Sequence, residues 1–146
     1  MAATRRADAT WEGDLLSGKG VVSAGTSQLF QSLPISWASR TEAANGKTSP
    51  EELLAGAHAS CYSMALSHGL AQAGTPAERL DVSATVTFDR VGEGFSVTSS
   101  ALAVRGKVPG ASAEGFKQAA ESAKDNCPIS RALKGNVQLS VEASLE

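Results

Sequence analysis

Residues Asp81 to Arg90, DVSATVTFDR, alternate strictly: Val82, Ala84, Val86 and Phe88 fall on one side and polar residues on the other. That period of two predicts a half-buried strand. VGEG then reads as a turn into a second strand, FSVTSSALAVRGKV. The chain closes on NVQLSVEASLE, where Val137, Leu139, Val141, Ala143 and Leu145 alternate with polar side chains as a further strand. Near the start, ATWEGDLLSGKGVVSAGTSQLFQSLP holds short β-compatible pieces broken by glycine, as in a meander.

Two segments switch to helical character. SPEELLAGAHASCYSMALSHGL carries a full helix start, with Ser49 as N-cap, Pro50 at N1 and Glu52 at N3 completing a capping box. This helix is expected to stop around Gly74, with Pro76 just beyond. SAEGFKQAAESAKDN predicts a second, amphipathic helix. Between the meander and the first helix, SRTEAANGKTSP reads as a polar loop with a turn at Asn45-Gly46. Strands, helix, strands, helix, strand is an α+β order, with helices packed on antiparallel sheet.

A length of 146 residues, without repeat, low-complexity stretch or linker, predicts one domain spanning 1–146. Hydrophobic content of 42% and charged content of 19% are those of a soluble globular chain. A net charge of -2 argues against nucleic acid as a partner, and Arg5, Arg6 and Lys19 are too few to make a basic footprint. From Leu53 to Ala77 there is no formal charge, but His58, Ser60, Ser63, Ser67, His68 and Gln72 interrupt the run. A helix enclosed by protein is therefore expected there, and no membrane span. MAATRRADAT is followed by no apolar export segment, which predicts a reducing, cytoplasmic setting. A cysteine pair in that setting is more often catalytic, redox-active or metal-binding than a permanent crosslink.

The two cysteines are Cys61, midway along the first helix, and Cys127, in DNCPISRAL. Around Cys61 the helix is almost all small: Ala55, Gly56, Ala57, Ala59, Ser60, Ser63 and Ala65. That leaves room beside the sulfur, although cysteine often just fills space in a core. Pro128 suits the N1 position of a short helical turn and so makes Cys127 its N-cap, where unpaired N–H groups favour thiolate over thiol. On this electrostatic ground Cys127 is the better nucleophile. Mid-helix, the dipole offers Cys61 nothing, and its activation needs a cation from elsewhere. Arg40, in the loop before the helix, is one candidate, and Arg90, Arg105 and Arg131 are others.

Glu51 is the natural restraint for such an arginine, or it does no more than complement the helix dipole. Ten residues of helix rise roughly 15 Å, so Glu51 cannot touch Cys61 directly. His58, three residues before Cys61, shares its helical face and is either a general base or a satisfied core histidine. His68 has no visible partner and receives no role. Two cysteines and two histidines without ligand spacing argue against zinc, and no cofactor is expected.

WEGDLLSGKGVVS, SRTEAANGKTSPEELLAGAHASCYSMALS and CPISRAL together resemble the osmotically inducible protein C (OsmC) and organic hydroperoxide resistance (Ohr) family, closest to its OsmC branch. The resemblance runs from about Trp11 to the last strand. It implies an OsmC-like fold, two curved, mainly antiparallel sheets around central helices, in an intertwined homodimer with active sites at the subunit interface. It also implies a thiol peroxidase, in oxidative and osmotic stress defence, that reduces organic hydroperoxides, and hydrogen peroxide less well. An external dithiol, for Ohr relatives a lipoylated protein, would regenerate it. By the same resemblance Cys61 matches the peroxidatic cysteine and Cys127 the resolving one, which reverses the dipole-based ranking. Arg40 matches the active-site arginine and Glu51 the acid that positions it. Leu53, Leu54, Tyr62 and Met64 are expected to give the site an apolar character. Two other readings stay open: a cysteine hydrolase or transferase using Cys61 and His58, and a redox sensor without turnover.

Overall fold

A computed structural model describes all 146 residues, in the order β1 (Ala7–Glu12), β2 (Lys19–Ala24), β3 (Leu33–Ile35), α1 (Trp37–Thr41), α2 (Pro50–Gln72), β4 (Arg79–Val91), β5 (Gly94–Lys107), α3 (Ala113–Asn126), α4 (Pro128–Leu133) and β6 (Gln138–Leu145). The chain divides into two compact units, Met1–Leu53 and Leu54–Glu146. None of the helices is long and apolar enough to cross a membrane.

The N-terminal unit is the expected meander, an antiparallel sheet ordered β1-β2-β3. Its β1–β2 turn is held by Asp14, whose carboxylate accepts the Leu16 and Ser17 amides and the Ser17 hydroxyl. The segment expected to be a loop begins as α1. A capping box makes it helical: the Ser36 hydroxyl accepts the Ser39 amide, while the Ser39 hydroxyl accepts the Ser36 amide. Five residues are too short to show a helical period, which is why the polar composition concealed it. The Asn45-Gly46 turn is present, both residues having positive φ (47° and 76°).

The start of α2 follows its signature in part. The Ser49 hydroxyl accepts the Glu52 amide at 3.1 Å, but the Glu52 carboxylate takes the Thr48 hydroxyl at 2.6 Å, one residue before the N-cap.

The C-terminal unit is a sheet ordered β4-β5-β6, with α2 and α3 sharing its core. From α2 come Tyr62, Leu66 and Leu70, spaced one turn apart and at most 2% exposed. Leu102 and Val104 point inward from β5, Val108 from just beyond its end, and Phe116, Ala120 and Ala123 from α3. Each large apolar side chain buried here stabilises the fold by about 1.5–3 kcal/mol. Close approach decides one residue of β5: a Cβ on Gly106 would stand 2.6 Å from the Phe116 ring. α2 ends in a Schellman motif, the Thr75 amide reaching the Leu70 carbonyl and the Gly74 amide the Ala71 carbonyl, with Gly74 at φ +82°.

β4 and β5 form the expected antiparallel hairpin, turning at Gly92 and Glu93, with a bulge between Thr87 and Phe88. β6, however, lies parallel to β5. The expectation of mainly antiparallel pairing therefore needs this amendment. α3 and α4 fill the connection from β5 to β6, and a crossover of that length carries the chain back to start a parallel strand.

Candidate active site

Pro128 shapes the Cys127 end of the site. A residue before proline is driven out of the helical region, and Cys127 adopts φ -58° and ψ 124°. Cys127 therefore closes α3, its amide bonding the Ala123 carbonyl at 2.8 Å, and opens α4 as N-cap. The thiol sits at this elbow, 0% exposed. Cys61 comes to it from α2, partly exposed, and both cysteines are reduced. The two side chains lie against one another, and the Ile129 amide of the first turn of α4 is directed at the Cys61 sulfur.

These neighbours pull the Cys61 thiol in opposite directions. Burial is the largest influence and pushes its pKa up from 9.0, the Ile129 N–H pulls it down, and Cys127 pushes it up again. The net direction is up, so the thiolate needs a further stabilising charge. The dipole argument is thus corrected: the Cys127 side chain makes no capping hydrogen bond, and a first-turn amide of α4 serves the mid-helix Cys61 instead. Access also separates the thiols, since only Cys61 presents surface to solvent.

His58 is 0% exposed, and both ring nitrogens are engaged. Nδ1 lies 2.6 Å from the Ser100 hydroxyl on β5, and Nε2 lies 2.8 Å from the Ser130 hydroxyl on α4. Burial holds its pKa below 6.5. This is a satisfied core histidine, with no nitrogen left to act as base for Cys61. Neither serine was singled out from sequence. The signal for Ser100 is its register, since Ser100, Leu102, Val104 and Gly106 form the buried face of β5 and a hydroxyl there needs a partner.

Arg40 and Glu51 form an ion pair within the N-terminal unit. Arg40 lies in the last turn of α1, not in a loop. Nε and a terminal nitrogen both reach Glu51 Oε1 at 2.8 Å, with the side chains 29% and 9% exposed. Glu51 Oε2 is buried without a hydrogen-bond partner. α1 is tied back to the loop before α2, the Ser39 hydroxyl donating to the Thr48 carbonyl at 3.2 Å. The guanidinium also sits 5.8 Å from the Trp37 ring centroid. Trp11, Leu15, Ile35, Trp37 and Pro50 line a cavity of about 260 Å³ that Arg40 borders. Of the expected apolar surroundings, Tyr62 is sealed in the core with its hydroxyl on the Ala120 carbonyl, and Met64 is 66% exposed. No group of three or more histidine, cysteine or acidic side chains is placed to hold a metal.

Known proteins share both the sequence and the fold. Peroxiredoxin OsmC of Escherichia coli (strain K12) is 41% identical over 139 residues, covering 95% of this chain and 96% of that protein. An organic hydroperoxide resistance protein from Elizabethkingia anophelis superposes with a TM-score of 0.77 at 23% identity, covering 100% of both chains. A Vibrio cholerae protein described as a putative organic hydroperoxide resistance protein, with captopril in one of its active sites, does so at 0.68 and 28% identity, covering 97% and 94%. The family model for OsmC-like protein matches residues 43–142, and with that match and the 41% identity the chain belongs to the OsmC-like family.

Proposed function

We propose that the protein is a thiol peroxidase that reduces organic hydroperoxides to alcohols by a two-cysteine cycle. One observation carries this reading: two thiols distant in sequence lie together, one open to solvent and one sealed beneath it. The 41% identity to a protein named for peroxide reduction supports reading that pair as peroxide-reducing.

The Cys61 thiolate attacks the distal oxygen of the hydroperoxide. The O–O bond breaks, Cys61 becomes a sulfenic acid, and the departing alkoxide takes a proton to leave as alcohol. Cys127 then attacks the Cys61 sulfur, the S–S bond forms as S–O breaks, and the Cys127 proton leaves with the hydroxyl as water. An external dithiol reopens the disulfide by exchange, becoming a disulfide itself.

Arg40 and Glu51 take their roles from the family resemblance. By that resemblance Arg40 is the active-site arginine, which stabilises the leaving oxygen, and Glu51 is the acid that restrains it. Two of the five guanidinium N–H groups serve the restraint, which fits an arginine held in one orientation. The cavity walled by Trp11, Leu15, Ile35 and Trp37 suits the hydrocarbon part of an organic hydroperoxide better than hydrogen peroxide. The working form is a homodimer of single-domain subunits in a reducing cytoplasm. Exposed Leu15, Leu16, Leu29, Met64 and Phe95 fit surfaces covered by a second copy.

Replacing Cys127 with serine separates this reading from its rivals. A peroxidase loses the disulfide and its dithiol-driven cycling, yet still consumes one equivalent of tert-butyl hydroperoxide, leaving sulfenic acid on Cys61. A hydrolase using Cys61 would turn over unchanged. A sensor would stop at one equivalent even as the wild type in excess dithiol.

A further inference from the structure

We propose that His58 is a positioning residue for the resolving step: by bridging Ser100 and Ser130 it holds α4 so that Cys127 meets Cys61. This rests on the two-cysteine reading above. On α2, His58 lies three residues before Cys61, and after Cys127 the chain reaches Ser130 at the same spacing. The two helices are thus joined by two rungs a turn apart, the Nε2–Ser130 bond at 2.8 Å and the contact between the thiols. The Nδ1–Ser100 bond at 2.6 Å fixes the imidazole against β5, so the ring cannot follow α4 if that helix shifts.

The chemistry of the ring suits this work. A neutral imidazole carries one N–H and one acceptor nitrogen, and each serine hydroxyl can serve as the matching partner. The ring, Ser100 and Ser130 are all at most 1% exposed, so each hydrogen bond is directional and broken only at full desolvation cost. An apolar side chain of the same volume would fill the space without specifying where Ser130, and with it Cys127, must stand. Resolution needs the Cys127 sulfur aligned with the S–O bond of the Cys61 sulfenic acid. Attack on the hydroperoxide by the partly exposed Cys61 needs no such alignment with Cys127, and takes from α4 only the Ile129 amide.

The test separates the two steps by rapid quench and mass spectrometry, following hydroperoxide loss and disulfide formation after mixing with tert-butyl hydroperoxide. His58→Leu and Ser130→Ala should leave Cys61 oxidation within about twofold of wild type, yet slow disulfide formation about tenfold or more, the cost expected of a misplaced reacting group. Sulfenic acid trapped by dimedone, and sulfinic acid at higher peroxide, should rise in step. Ser130→Thr, which keeps the hydroxyl, should restore resolution. Ser112→Ala, which removes the N-cap of α3, should lower the melting temperature and leave the ratio of the two rates unchanged. Disulfide formation at wild-type speed in Ser130→Ala would overturn the inference, even if His58→Leu fails to fold. Equal slowing in Ser112→Ala would also overturn it, since loss of stability alone would then explain the effect. If the wild type itself forms no Cys61–Cys127 disulfide, the peroxidase reading fails and this inference with it.

Discussion

Acidification reads out the burial of His58. The ring is 0% exposed, and burial holds its pKa below the ordinary 6.5. A histidine that is neutral when folded and free to charge when unfolded makes the unfolded chain the better proton binder at low pH. Stability is therefore intact above about pH 6.5 and falls as pH drops from there toward the folded-state pKa. Proton uptake by the unfolded chain sets an upper bound on the loss of about 1.4 kcal/mol at pH 5.5 and about 2 kcal/mol at pH 5, reached where the folded ring stays neutral. For a domain of this size that bounds the drop in melting temperature at pH 5 at about 4–8 °C. Calorimetry from pH 7.5 to 5 on the wild type and on His58→Gln measures the difference. Glutamine keeps a donor and an acceptor in the cavity but does not titrate, and the acidic residues contribute to both profiles alike. The wild-type curve should fall more steeply below pH 6.5, so that the gap between the two proteins narrows on acidification. Parallel curves would refute the assignment of His58 as a buried neutral ring.

Arg40→Met should lower kcat/KM for tert-butyl hydroperoxide by about 10²–10³, the loss seen when a preorganised donor to a developing oxyanion is removed, and steady-state kinetics checks it. Gly106→Ala should cost about 1–3 kcal/mol in a urea melt, because its Cβ would stand 2.6 Å from the Phe116 ring.

The long elements were legible because their patterns repeat. Val82 to Phe88 and Val137 to Leu145 show a period of two over their whole length, and α2 announces its start with Ser49, Pro50 and Glu52. α1 was not legible, since its five residues are specified by a reciprocal pair of serines and leave no helical stripe. The parallel pairing of β5 with β6 depends on where two intervening helices return the chain, which no local pattern encodes. Within the candidate site, Cys127 at an elbow before Pro128 could be read directly. The use of the α4 amide could not: Ile129 serves a sulfur on another helix, and such a long-range contact leaves no trace in the spacing. The same holds for His58, whose partners Ser100 and Ser130 are 42 and 72 residues away.

The pairing of Cys61 with Cys127 is the claim on which the peroxidase chemistry stands. Equimolar tert-butyl hydroperoxide followed by alkylation, digestion and non-reducing mass spectrometry tests it directly. A peptide joining the Cys61 and Cys127 segments, reverting to two free thiols with a dithiol, is the expected product. Sulfenic or sulfinic acid on Cys61 with Cys127 still open to alkylation under denaturing conditions would contradict it.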